Sequence, residues 1–194
     1  GSDPRDVNST ANEPPQFTLG NGITNQLDEN GVLHIGHSEN KTHIIQITAT
    51  DPDGDDLNFS IYGWQDLPHF EINASSGDLR FKLPPDFEEQ TDHNKDGVYG
   101  IVLRVSDGHV HTDQPAWIWV QNQNEVPTDL NASAPLQALE EKPTGTFVGN
   151  FSAHDPDANT TLTFSMLDGN GSSGNQYFTL DPNGTLLTAQ VFDY

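Results

Sequence analysis

The sequence predicts an all-β chain made of two successive sandwiches of one design, the second of them truncated. Three observations predict it. The stretch Ala49-Thr50-Asp51-Pro52-Asp53 returns about a hundred residues later as Ala153-His154-Asp155-Pro156-Asp157, each time between an apolar segment and an alternating one. Short segments that alternate apolar and polar residues are separated by Gly, Pro, Asn and Asp roughly every ten residues. Almost no segment carries a helical period.

Residues 1–15 are polar and end in Asn12-Glu13-Pro14-Pro15, which suits an extended linker, and the leading Gly1-Ser2 reads as a cloning remnant. Residues 16–121 form the first repeat. Its opening is weakly patterned: Phe17, Leu19 and Ile23 alternate loosely, and Asp28-Glu29-Asn30-Gly31 is a turn leading to Val32-Leu33-His34-Ile35. The first clear strand runs from His43 to Thr50, with Ile45, Ile47 and Ala49 on one face. Leu57 to Tyr62 follows with Leu57, Phe59 and Ile61 inward. Phe70 to Asn73 and Asp78 to Phe81 flank Ala74-Ser75-Ser76-Gly77 and read as a hairpin. Pro84-Pro85 interrupts regular structure, and Asp92 to Gly97 is a loop. Val98 to Ser106 is the longest strand, with Tyr99, Ile101, Leu103 and Val105 on one side, and Trp117 to Val120 is the last. Residues 122–127 link the repeats.

Residues 128–194 repeat the design incompletely. Phe147 to Ala153 matches His43 to Ala49, Leu162 to Met166 matches the alternating strand after the first Asp-Pro-Asp, and Tyr177 to Leu186 matches Phe70 to Leu79. Phe192-Asp193-Tyr194 aligns with Asp86-Phe87 and their neighbours. Seven or so short strands per complete copy predict an immunoglobulin-like β-sandwich. The second copy, without counterparts of the last two strands, is expected to expose an unpaired edge and an open core.

Composition narrows the function. Seven Lys+Arg against 29 Asp+Glu give a formal net charge of -22, which repels phosphate backbones and anionic lipid and makes cations the natural partners. With no cysteine there is no disulfide, thiol chemistry or Cys-bound zinc. No apolar run reaches membrane-spanning length and no secretory leader opens the chain, so it reads as a soluble piece of a longer protein with no direct membrane insertion. Asn-x-Ser/Thr triplets begin at Asn8, Asn40, Asn58, Asn73, Asn131, Asn150, Asn159, Asn170 and Asn183, an excess that favours an exported glycoprotein.

Proline fixes its own φ and biases the preceding residue towards extended geometry, so Asp-Pro-Asp holds two carboxylates in a limited set of directions. That suits a hard, oxygen-loving cation such as Ca2+. Asp, Pro and Gly also build ordinary turns, and the repetition tips the reading towards the cation. Asp92-x-Asn94-x-Asp96-Gly97 matches the start of an EF-hand loop, but the bidentate Glu position falls on Leu103, so it reads as a plain turn.

The first repeat resembles the cadherin repeat in Glu39-Asn40, Ala49-Thr50-Asp51-Pro52-Asp53, Phe70-Glu71-Ile72 with Gly77, Asp86-Phe87-Glu88, Val105-Ser106-Asp107-Gly108 and the linker Asn122-Gln123-Asn124-Glu125-Val126-Pro127. The second resembles it in Glu140, Gly145-Thr146, Asp155-Pro156-Asp157, Phe178 with Gly184-Thr185-Leu186, and Phe192-Asp193-Tyr194. The form it is most similar to is that of bacterial and archaeal surface adhesins. The resemblance implies Ca2+ between repeats, held by Glu39, Asp86 and Glu88, by Asn122, Asn124 and Glu125, and by Asp155 and Asp157. It also implies a half-built site from Asn12, Glu13, Asp51, Asp53 and Asp107. Asn122 departs from the usual Asp and removes a charge. Calcium would neutralise otherwise repelling carboxylates and stiffen the junction.

The resulting expectation is a calcium-binding structural and adhesive module at the cell surface, in contact with other copies of the same protein or with surface glycans. The alternative is a carbohydrate-binding module in which Tyr62, Trp64, Trp117 and Trp119 stack on sugars, provided that Trp117 and Trp119 face solvent rather than the core. An enzyme is not expected: no Gly-x-Ser-x-Gly elbow, phosphate loop or His-Glu-x-x-His occurs, and His109-Val110-His111 reads as a solvent-facing pair.

Overall fold

The computed structural model describes residues 11–18, 27–133 and 135–193, and the chain divides into two units, residues 1–123 and 124–194. Residues 1–10 of the linker, Leu19, Ile23 and Tyr194 lie outside the described residues.

The strands of the first unit are β1 (Gln16–Phe17), β2 (Leu33–Ser38), β3 (His43–Gln46), β4 (Ala49–Thr50), β5 (Asn58–Tyr62), β6 (Phe70–Ile72), β7 (Asp78–Phe81), β8 (Val98–Ser106) and β9 (His111–Gln121). They form a sheet in the order β2-β9-β8-β5, a facing sheet β3-β7-β6, and a short β1-β4 pair. The alternation in β8 does what it predicts: Tyr99, Ile101, Leu103 and Val105 are all buried. They meet Phe59, Phe70, Leu79, Phe81 and Ile118, with the rings of Phe70, Phe81 and Tyr99 packed 4.6 to 5.9 Å apart. Each such side chain contributes about 1.5–3 kcal/mol.

Three strand expectations need correction. His43 to Thr50 is not one strand. The register slips between His43 and Ile45, β3 pairs with β7, β4 pairs with β1, and Ile47 between them is buried. The last strand is far longer than Trp117 to Val120, because β9 pairs with β8 from His111 to Trp119. Pro115 is tolerated within it because the parallel ladder to β2 starts only at Ala116. The alternation through Leu162, Phe164 and Met166 forms no strand.

The second unit holds β10 (Thr128–Ala132), β11 (Phe147–His154), β12 (Phe178–Leu180) and β13 (Thr185–Thr188) in the order β10-β11-β13-β12. Phe151, Phe164, Phe178 and Leu186 line an open apolar cleft of about 300 Å³ in it. The two units share backbone detail as well as pattern. Ile47 N donates to Gly77 O at 2.9 Å, and Phe151 N donates to Gly184 O at 2.8 Å.

Candidate metal centres

At one end of the first unit the turn after β2 directs Glu39 inward. Asn40 takes a left-handed φ of 62°, its N–H donates to Pro85 O at 2.9 Å, and the Glu39 N–H donates to Gln121 O at 3.1 Å. Glu39 is 1% exposed. Its Oε2 accepts Phe87 N–H at 2.7 Å and its Oε1 accepts Gln123 N–H at 2.6 Å, so the buried carboxylate ties together the turn and both neighbouring segments. Asp86 Oδ1 accepts the N–H of Glu88 and of Glu89 at 2.8 and 2.9 Å, and Glu88 Oε1 accepts Asn122 Nδ2 at 2.8 Å. Glu39, Asp86 and Glu88 each present an oxygen within 4.8 Å of the other two. Three carboxylate oxygens converging from two irregular segments suit a hard cation of calcium size.

The opposite acidic set is looser. Asp51 Oδ1 accepts the N–H of Asp53 at 2.9 Å and of Asp55 at 3.2 Å, while its Oδ2 is buried without a hydrogen-bond partner. Asp53 Oδ2 accepts Glu13 N–H at 2.7 Å. Asp107 accepts Asn12 Nδ2 at 2.8 Å and the N–H of His109 and Val110 at 2.7 and 2.8 Å. These bonds, led by that from Asn12, hold the Asp107 carboxyl down to about 2. Among the described residues no three carboxylates there reach the closeness of Glu39, Asp86 and Glu88. The orphaned Asp51 oxygen is the feature that fits a cation.

The second unit rebuilds this turn. Glu125 N–H donates to Asp157 Oδ2 at 2.8 Å, Asp157 N–H donates to Asp155 Oδ1 at 3.0 Å, and Asn124 Nδ2 bonds Glu125 O at 2.9 Å. Asn12, Glu13, Asp51 and Asp53 make the same three bonds in the first unit. The EF-hand-like loop is a turn: Asp92 is 2% exposed and its two oxygens accept the N–H of Asp96 and Gly97 at 2.9 and 3.0 Å. His109 and His111 are exposed and enter no metal-binding group among the described residues.

No family model matches the chain. It is 31% identical over 120 residues to the cadherin-related protein hmr-1 of Caenorhabditis elegans, covering 62% of this chain and 4% of that one. With mouse cadherin-related family member 2 it shares 24% identity over 193 residues, 97% of this chain and 14% of the relative. Its fold superposes on the human protocadherin-24 EC1-2 crystal structure with a TM-score of 0.59 at 18% identity, covering 94% of this chain and 80% of that one. Drosophila N-cadherin EC1-4 gives 0.52 at 18% identity, over 94% of this chain and 42% of that one. These are cadherin-like repeats. The cadherin-like pair is an extracellular, cell-surface segment, and it spans less than a fifth of the length of these curated relatives. The bacterial and archaeal form expected from the sequence is not supported, since the relatives are metazoan.

The sequence reading missed Asp66, which is buried beneath the outer face of the β2-β9-β8-β5 sheet, and the Tyr62–Arg104–Asp113 trio on that face. Nothing in the local pattern marks Asp66. The trio follows from the register that sets Arg104 opposite Asp113.

Proposed function

We propose that this cadherin-like segment is a calcium-binding structural and adhesive part of a cell-surface protein. Glu39, Asp86 and Glu88, with Asn122, hold the ion in the first repeat. Asn124 and Glu125 with Asp155 and Asp157 supply ligands from the linker and the second repeat. The observation that carries this reading is the convergence of the Glu39, Asp86 and Glu88 oxygens within 4.8 Å. The repeated linker turn supports it. Bound calcium would neutralise the clustered carboxylates and restrain the linker, since Asn122 and Asn124 stand two residues apart in sequence. A stiffened segment presents its surface at a fixed distance from the cell, where other copies of the same protein are the expected contact. Trp117 and Trp119 do face solvent, the condition set for a carbohydrate-binding module, but the cadherin relatives do not favour that reading.

Calorimetry of chelator-stripped protein should show calcium binding in the range of about 0.1–1 mM typical of extracellular modules. Asp86→Asn with Glu88→Gln should abolish the heat assigned to the first repeat, and Asp155→Asn with Asp157→Asn that of the linker set. Absence of any heat from the unaltered protein would overturn the proposal.

A further inference from the structure

Two groups of side chains with related chemistry stand on the outer face of the β2-β9-β8-β5 sheet. In one, the Arg104 guanidinium lies 4.4 Å from the Tyr62 ring centroid and donates to both oxygens of Asp113 at 2.7 and 2.8 Å, while Tyr62 Oη–H donates to Asp113 at 2.6 Å. A cation, an aromatic face and a carboxylate complete one another.

The other group consists of indoles. Trp64, Trp117 and Trp119 are 48%, 36% and 45% exposed, with the Trp64 and Trp117 rings 6.4 Å apart. His34 on β2 braces them: it meets Trp117 edge-on at 5.2 Å, stacks on Trp119 at 6.2 Å, and accepts the Trp119 Nε1–H at 3.2 Å. The placement of Trp64 is costly. Both Gly63 and Trp64 have left-handed backbone, with φ of 70° and 53°, a conformation bulky residues rarely take. Its ring lies against Gly100, where any Cβ would overlap it.

The rings border a cleft of about 380 Å³ that also carries Asp66, His93, Asn94 and Asp96. Asp66, 7% exposed, accepts the backbone N–H of His93 and Gly100 at 2.7 and 2.9 Å, so a carboxylate lies just under the ring floor. Asp96 is exposed at the rim, and among the described residues no Lys or Arg lines the cleft. The ingredients of the Tyr62–Arg104–Asp113 group are thus present except the cation. The chain itself is poor in cations, with 7 Lys+Arg against 29 Asp+Glu.

We propose that the Trp64–Trp117–Trp119 cleft receives an arginine side chain of a basic protein partner. The planar guanidinium can lie on an indole face and still donate to Asp96 at the rim, which a lysine ammonium or a neutral group does less well. The charge of -22 draws such a partner in and raises its rate of encounter. This proposal uses none of the calcium ligands and stands apart from the calcium reading.

The three tryptophans of the chain all line the cleft, so intrinsic fluorescence reports its occupancy directly. The chain is titrated with the peptide Gly-Gly-Arg-Gly-Arg-Gly-Gly and with the same peptide carrying citrulline, which keeps the shape and loses the charge. The arginine peptide should quench saturably, and citrulline should weaken binding about tenfold. Trp117→Ala and Asp96→Asn should each weaken it about three- to thirtyfold, Trp117→Phe should restore part of the loss, and the distant exposed variants Asp56→Asn and Glu71→Gln should leave it unchanged. Equal binding of the citrulline peptide, or equal loss in the distant variants, overturns the proposal. So does the absence of saturable quenching up to about 10 mM peptide. Tighter saturable quenching by a neutral oligosaccharide would assign the cleft to glycans instead. Self-association of the chain that Trp117→Ala abolishes would assign it to a second copy.

Discussion

Replacing Gly77 with alanine should cost the first repeat far more than the same change at Gly31, although both glycines have a φ of 75°. Nothing lies within 4 Å of a Cβ built on Gly31, so Gly31→Ala bears only the left-handed backbone penalty, about 1–2 kcal/mol. A Cβ on Gly77 would come nearer than 3.0 Å to the Ile47 carbonyl oxygen and would touch the Phe59 ring at 3.4 Å. Relief requires the segment between β3 and β4 to move away from the β6–β7 turn, which strains the 2.9 Å bond from Ile47 N to Gly77 O and overfills the site beside Phe59. Adding about 0.5–1.5 kcal/mol for the bond and about 1–3 for overpacking gives about 2.5–6.5 kcal/mol for Gly77→Ala. Urea denaturation followed by tryptophan fluorescence reads the first repeat alone, because Trp64, Trp117 and Trp119 all lie within it. Midpoints of the two variants that convert to stabilities within about 0.5 kcal/mol of each other would refute the close approach as the cause.

Asp113 should give the first repeat an acid-sensitive component. The Arg104 guanidinium, followed by the Tyr62 hydroxyl, holds its carboxyl at about 2, below the ordinary 3.8. Its stabilisation is therefore complete above about pH 4 and lost as pH falls towards 2, and Arg104→Gln should flatten that part of the stability–pH curve. Asp92→Ala leaves the buried Gly97 N–H and the more exposed Asp96 N–H without their acceptor and should cost about 1–3 kcal/mol in denaturant titrations, with calcium stoichiometry by calorimetry unchanged. Small-angle scattering of a longer segment that completes the second repeat should show a narrower range of maximum dimension with calcium than with chelator. Identical profiles under confirmed binding would mean that the ions act within single repeats.

Sequence legibility followed local environment. The core face of β8 was readable because the strand is paired on both sides and buried on one, so every second residue had to be apolar. β2 was hidden because its inward set is Leu33, Ile35 and His37. The histidine is tolerated by hydrogen bonding the Lys41 carbonyl at 2.7 Å, and burial lowers its pKa. The alternation of Leu162, Phe164 and Met166 misled because a strand needs a neighbour, and among the described residues no strand pairs with this segment. At the candidate calcium sites, Asp-Pro-Asp stood out by repetition, whereas Glu39, Asp86, Glu88 and the linker residues stood out only through the resemblance to the cadherin repeat. The indole cleft did not, since alternation places Trp117 and Trp119 on one face without saying which face is wet. That was decided by Ala116 and Ile118, both fully buried.

The parallel pairing of β2 with β9, from Leu33 opposite Ala116 to Ser38 opposite Gln121, determines how the first repeat carries tension. Consider a pull applied to β2 at Leu33 and to β9 at Gln121. In a parallel pair these points lie at opposite ends of the ladder, so the two strands are drawn past each other lengthwise. Every bond of the ladder then bears load at once, whereas an antiparallel hairpin pulled at its open end yields one bond at a time. If the proposed adhesive role holds, tension along the chain would act in this direction, and the six-residue ladder would be the element that resists it.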